Sequence, residues 1–184
     1  MRSKMKLALL VLITLALGAA RAGAEIIELE VEGIDNYSRF EGEKSFAGKR
    51  VGFGGTTEPG AMPWLKQQGY ASVVNLRAAA EEDADVDESR VAAANSGLKY
   101  IHLPFDPNDP APGITEAFLA ATLDTRNQPA YIHCGSGTRA AMFWMLGRVR
   151  IDGLGLEAAE REGRIIAEKP DEAVTYFSNR MLAQ

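Results

Sequence analysis

Residues Tyr131–Ala140 read YIHCGSGTRA and hold the only cysteine of the chain, Cys134. The apolar run Ala130–His133 has the look of a short strand, and Thr138–Val149 (TRAAMFWMLGRV) has helical composition, so Gly135, Ser136, Gly137 and Thr138 form the turn between them. Ligands of open α/β sheets bind at the carboxyl ends of strands. A helix that begins there presents unpaired N–H groups and the positive end of its dipole to an anion. Glycines at 135 and 137 let several of those N–H groups converge on one point. The same field, with Arg139 close behind, favours the thiolate of Cys134. The stretch therefore reads as a nucleophile beside an anion cradle. A buried structural thiol or an intermolecular bridge is the bland alternative for a lone cysteine.

Outward from this loop, the flanking sequence repeats the same order. Val51–Thr57 (VGFGGTT) reads as a strand running into a glycine turn, and Pro59–Gln68 as a helix stopped by Gly69. Ser72–Leu76 is a β-branched run, Asp87–Ser96 a helix closed by Gly97, and Leu98–Phe105 a strand ended by Pro104 and Pro107. A proline-rich loop, 106–112, precedes a helix over Thr115–Asp124. Two more helices are expected near Leu154–Glu162 and Asp171–Leu182. Strands alternating with helices predict an α/β fold: a mostly parallel central sheet of about four to five strands flanked by helices. Residues 25–50, charged and irregular, are expected to be an N-terminal extension, with the domain proper over 51–184.

The first 24 residues carry Arg2, Lys4 and Lys6, then an apolar run Leu7–Ala20, then Ala22-Gly23-Ala24. That is the order of a secretory signal peptide cut before Glu25, with an uncleaved anchor as the alternative. The run is shorter than the ~20 residues of a membrane span, so no span is expected after cleavage and the product is expected to be exported, periplasmic or secreted. Residues 1–24 contain four basic residues and no acid, so their removal takes the formal charge from −5 to −9. Such acidity argues against nucleic acid as a partner. About 160 residues make one domain.

His-Cys-x-x-Gly followed by Arg at a strand-to-helix turn resembles the signature loop of cysteine-dependent phosphatases of the tyrosine and dual-specificity type (the cysteine phosphatase II fold). More narrowly, GGTTEPGAMPWLKQQGYASVVNLR with HCGSGTRAAMFWML is similar to the phosphatase-like domain of the bacterial beta-lactamase hydrolase-like family. The resemblance implies a small anionic substrate or phosphorylated molecule and no cofactor. Cys134 would attack phosphorus, and Arg139 with the N–H groups of Gly135, Ser136, Gly137 and Thr138 would hold the phosphate oxygens. His133 would orient the loop and lower the thiol pKa. An Asp from the upstream loop would serve as general acid; Asp106 is favoured over Asp109 as nearer the strand end.

The spacing departs from the tyrosine phosphatases in one respect. Four residues rather than five separate Cys134 from Arg139, which narrows the N–H ring. Rhodanese-type sulfurtransferases use that spacing to hold a persulfide, so sulfur transfer through Cys134 is an alternative, and a catalytically silent anion- or partner-binding module is another. A Ser or Thr just after the Arg is also missing, since Ala140 follows; Ser136 or Thr138 is the candidate substitute. Arg77, at a neighbouring strand end, is a possible second anion contact or the partner of Glu81 or Glu82. His102 reads as structural, the acidic run from Glu81 as a solvated face, and two histidines with one cysteine make no zinc set.

Overall fold

A computed structural model describes residues 25–182; the expected signal peptide lies outside the described residues. Six strands form one sheet in the order β1-β2-β3-β6-β4-β5. They are β1 (Glu25–Glu28), β2 (Ser38–Glu41), β3 (Arg50–Gly54), β4 (Ser72–Asn75), β5 (Lys99–His102) and β6 (Ala130–His133). Pairings β3–β6, β6–β4 and β4–β5 are parallel, whereas β1–β2 and β2–β3 are antiparallel. The helices are α1 (Met62–Gln67), α2 (Val86–Asn95), α3 (Ile114–Leu123), α4 (Thr138–Arg150), α5 (Leu156–Ile166) and α6 (Pro170–Tyr176), the last continued by a wider π turn, Phe177–Met181. The expected mostly parallel α/β sheet is present, and the boundaries inferred for Ala130–His133 and the start of α4 coincide with those observed.

Period-2 alternation divides the interior into two cores. Val51 and Phe53 of β3, Val74 of β4 and Ile132 of β6 face a large core shared with α4 and with Phe118 of α3. Val73 and Tyr131 face the opposite way, into a smaller core with Met62 and Leu65 of α1 and Ala93 of α2. Gly52 and Gly54 have no side chain because a Cβ at either would run into the hydroxyls of Tyr70 and Tyr131 on that second face. Helix α4 is the centre of the larger core, and ten of its thirteen residues are buried. Its one buried charge, Arg148, is fully matched: Nε donates to Glu162 Oε2 at 2.9 Å and one terminal nitrogen to Asp152 Oδ2 at 2.8 Å. Glu162 also accepts from Trp144 Nε1 at 2.7 Å, so α5 is fastened to α4 by charge as well as packing.

Residues 25–50 are more than an extension. Strands β1 and β2 form a hairpin that adds two antiparallel strands to the sheet, which raises the count from the expected four to five to six. Phe40 of β2 is fully buried and packs on Trp144 with ring centroids 4.9 Å apart. Phe46 also meets Trp144, at 5.3 Å, and its backbone N–H donates to Asp152 Oδ2. The charges that mask this pattern, Glu25, Glu28 and Glu41, are exposed at the sheet margin, where charged side chains blunt an edge strand.

Phe40→Ala is expected to lower the unfolding free energy by about 3–5 kcal/mol, as for other buried aromatic truncations. Urea denaturation measures it; a loss below about 1 kcal/mol would contradict the place given to β2 in the core.

Candidate active site

The loops after β3, β4, β5 and β6 all leave the carboxyl edge of the parallel strands and meet around residues 134–139. Gly137 is the N-cap of α4 with φ +72°. Only glycine fits there: a Cβ would stand 2.5 Å from the Ile166 carbonyl oxygen and 3.0 Å from Asn36 Nδ2. The loop carbonyls are drawn outward. Gly135 O accepts from Thr56 Oγ1 at 3.3 Å, and Ser136 O from the Glu168 N–H at 3.1 Å and Asn36 Nδ2 at 3.4 Å. The first α-helical bond is from the Ala141 N–H to Gly137 O at 2.9 Å, so the N–H groups of Thr138, Arg139 and Ala140 have no helical acceptor. These are the donors an anion would meet.

Arg139 is brought to the same place by three carbonyl or carboxylate partners. One terminal nitrogen donates to Leu76 O and Phe105 O, both at 3.2 Å, and to Glu81 Oε1 at 2.7 Å; the other donates to Glu81 Oε2 at 2.7 Å. The pair is therefore bidentate, the geometry in which Arg binds carboxylate or phosphate most strongly. Burial opposes ionisation of Glu81, but the hydrogen bonds from Arg139 and from the Ala78 N–H, with the charges of Arg139 and Arg77, outweigh it and hold the carboxyl below its ordinary range. Cys134 lies close to the Arg139 guanidinium. The cysteine itself is 0 % exposed, and its N–H donates to Gly54 O at 3.2 Å. The Arg139 fork, expected to hold phosphate oxygens, is filled here by Glu81.

His133 lies on the other side of the sheet from Cys134, because neighbours in a strand point to opposite faces. Its ring stacks on Tyr131 at 5.6 Å, and neither ring nitrogen has a hydrogen-bond partner. Burial pushes its pKa down to about 3 against the mild favourable pull of the Gly55 and Cys134 backbones. A neutral imidazole lends no positive charge to the thiol, so the charge-based part of its expected role has no basis in this geometry; its place is that of a packing residue under the loop. Arg77 is likewise diverted. Buried, it donates to the backbone carbonyls of Asp83 (2.8 Å) and Glu82 and touches Glu81 at 3.4 Å, which closes the 78–83 turn and leaves no fork for a substrate.

Asp106 lines a cavity of about 300 Å³ together with Arg139, Glu81 and Phe105, whereas Asp109, also exposed, is not among those lining residues. Asp106 accepts the Asn108 N–H at 2.8 Å in an Asx turn. The Ser136 and Thr138 hydroxyls are 3.0 Å apart and bonded to one another; neither bonds to the sulfur. His102 is structural, with Nε2 2.7 Å from Arg77 O. Two residues of the site have no clear signal in the sequence pattern. Glu81 reads there as part of a solvated acidic run, and only its position just past a strand end points to the site. Asn36, in the expected extension with φ +51°, donates to Ile166 O at 2.7 Å and ties the loop to α5; no motif announces it.

The His133 pKa is depressed in the folded state, so unfolded chains bind the proton more readily. The stability contributed by the neutral ring is whole above about 6.5 and drains away as pH falls toward about 3. Stability of the wild type measured from pH 7 to 5 should fall more steeply than that of His133→Gln; parallel curves would contradict the neutral buried ring. Glu81→Ala should cost about 1–3 kcal/mol, the usual penalty for stranding a buried charged donor, and added sulfate should restore part of it. No destabilisation in a thermal melt would contradict the pairing with Arg139.

The comparisons with known proteins agree with this geometry. Residues 55–151, just over half of the chain, match the family model for the beta-lactamase hydrolase-like protein, phosphatase-like domain. The beta-lactamase hydrolase-like protein of Xylella fastidiosa (strain Temecula1) is 36 % identical over 89 residues, 47 % of this chain and 20 % of that protein. That of Agrobacterium fabrum is 32 % identical over 97 residues, 50 % of this chain and 21 % of that protein. The chain thus spans about one fifth of the length of the curated relatives it matches. Among solved structures, the catalytic core of the PP-IP phosphatase SIW14 from S. cerevisiae superposes with a TM-score of 0.61 at 16 % identity, covering 82 % of this chain and 88 % of that one. TpbA of P. aeruginosa gives 0.59 at 17 % identity, covering 86 % and 91 %; identities this low show a shared fold. The fold, the strand-to-helix loop with Cys134 and Arg139, and the match over residues 55–151 together show that the chain belongs to the beta-lactamase hydrolase-like phosphatase-like domain family.

Proposed function

We propose that this chain is an exported, metal-independent hydrolase of phosphate monoesters that works through a cysteinyl-phosphate. The observation that carries the reading is the convergence of Cys134, the Arg139 guanidinium and the free N–H groups at the start of α4 on one turn at the carboxyl edge of the sheet. In this reading the Cys134 thiolate attacks phosphorus as the bond to the ester oxygen breaks. Asp106 gives its proton to that leaving oxygen, then takes one from the water that attacks the cysteinyl-phosphate and releases inorganic phosphate. Arg139 and the amides hold the equatorial oxygens throughout. SIW14 was crystallised with citrate and a TpbA variant with pTyr, which supports an anionic substrate for this fold.

The Arg139 fork is filled by Glu81 and Cys134 is 0 % exposed. A phosphate that reaches both must therefore displace the Glu81 carboxylate from part of the fork. The same observation favours a second reading, an anion-binding module without turnover, in which an anion takes the place of Glu81 on Arg139 while Cys134 stays covered.

Hydrolysis of a generic aryl phosphate distinguishes them. Wild-type turnover is expected, with Cys134→Ser lowering kcat by at least about 10³-fold, as for other deleted nucleophiles, and Arg139→Lys by about 10²–10³-fold. Equal turnover by all three proteins would overturn the hydrolase reading. Absence of wild-type turnover beside retained phosphate binding would establish the silent module, and transfer of sulfur from thiosulfate to cyanide would replace both.

A further inference from the structure

A cavity of about 670 Å³ opens beside the signature loop, within the range of small-molecule sites. Ser136, Thr138 and Arg139 form one wall, and the opposite wall comes from residues 169–180, beyond the segment that matches the family. The loop fixes that wall through the backbone: the Glu168 N–H donates to Ser136 O at 3.1 Å and the Lys169 N–H to Thr138 Oγ1 at 3.3 Å. Tyr176 secures the far end, its ring edge-on to Phe105 at 5.8 Å, one residue before Asp106. The C-terminal segment is therefore tied to the loop at Glu168 and Lys169 and to Phe105 at Tyr176.

The charges on this wall do not cancel. Asp171 is occupied by Arg164 at 2.7 Å, as Arg139 is by Glu81. Lys169 and Arg180 have no ion-pair partner among the described residues, and Glu172 is the single carboxylate of the lining that also lacks one. Two uncompensated cations against one carboxylate thus face the cavity of a chain whose formal charge is −5. Such a local reversal of sign concentrates anions at a cleft that the rest of the surface would repel. Lys offers an adaptable point charge, and Arg a fork that fits phosphate or carboxylate.

We infer, resting on the phosphate-monoester reading above, that the substrate is a small phosphate ester bearing a second anionic group, which Lys169 and Arg180 hold while the first group meets Arg139. The family's shared loop would then supply the chemistry and the C-terminal helices the choice of substrate.

Non-hydrolysable probes test this by calorimetry, independently of turnover. The full chain should bind 1,3-phenylenebis(phosphonate) at least about tenfold more tightly than phenylphosphonate, the worth of one charge-assisted contact. In the double variant Lys169→Ala/Arg180→Ala the two affinities should come within about twofold, with phenylphosphonate binding little changed. Equal affinities in the wild type, no binding of either probe, or a preference that survives the double variant would each overturn the inference. A preserved preference in wild-type protein that turns over no aryl phosphate would support the second anion site and remove only the hydrolase reading. Turnover without the preference would do the reverse.

Discussion

The turn from Cys134 to Thr138 has to point its carbonyls outward and its amides inward, and the surrounding chain is organised to enforce that. Thr56 after β3 takes the Gly135 carbonyl; Asn36 from the N-terminal hairpin and the Glu168 amide after α5 take that of Ser136. Gly137 makes the reversal sterically free. Three regions distant in sequence thus hold one turn in shape. The hairpin of β1 and β2 is explained by this as much as by the core it completes: without it Asn36 has no position, and the loop loses one of its three external supports.

Charge is balanced within the site by the chain's own side chains. Arg139 gathers the ends of β4 and β5 through the Leu76 and Phe105 carbonyls and closes on Glu81. A desolvated guanidinium is costly when unpaired, so the Glu81 carboxylate stabilises the site and would compete with an anion for the same fork. Glu81 is itself placed by the Ala78 amide and by Arg77. Of the two roles open to Arg77, a second anion contact or the partner of Glu81 or Glu82, it takes the second and builds the turn that presents Glu81.

Much of this is legible in the amino-acid sequence because it rests on local chemistry. The strand Ala130–His133, the glycine turn and the helix from Thr138 are set by apolar runs and punctuation that act over a few residues, and the alternation of strands and helices implies the parallel sheet. The placement of Asp106 near Arg139 follows from the strand-end rule. What the sequence hides is non-local. Strands β1 and β2 lie at the sheet margin, where outward glutamates mask the buried Phe40; the Glu81–Arg139 pair joins residues 58 positions apart. His133 is adjacent to Cys134 along the chain yet on the opposite face of the sheet, so proximity in sequence overstates its influence on the sulfur.

The proposed chemistry stands or falls on a covalent bond between phosphorus and one sulfur. Acid-quenched mixtures of the protein with an aryl phosphate, digested and weighed by mass spectrometry, should show the peptide spanning Cys134 heavier by one phosphoryl group, with the added mass absent from Cys134→Ser. Turnover with no such adduct, or with the phosphoryl group on another residue, would contradict it.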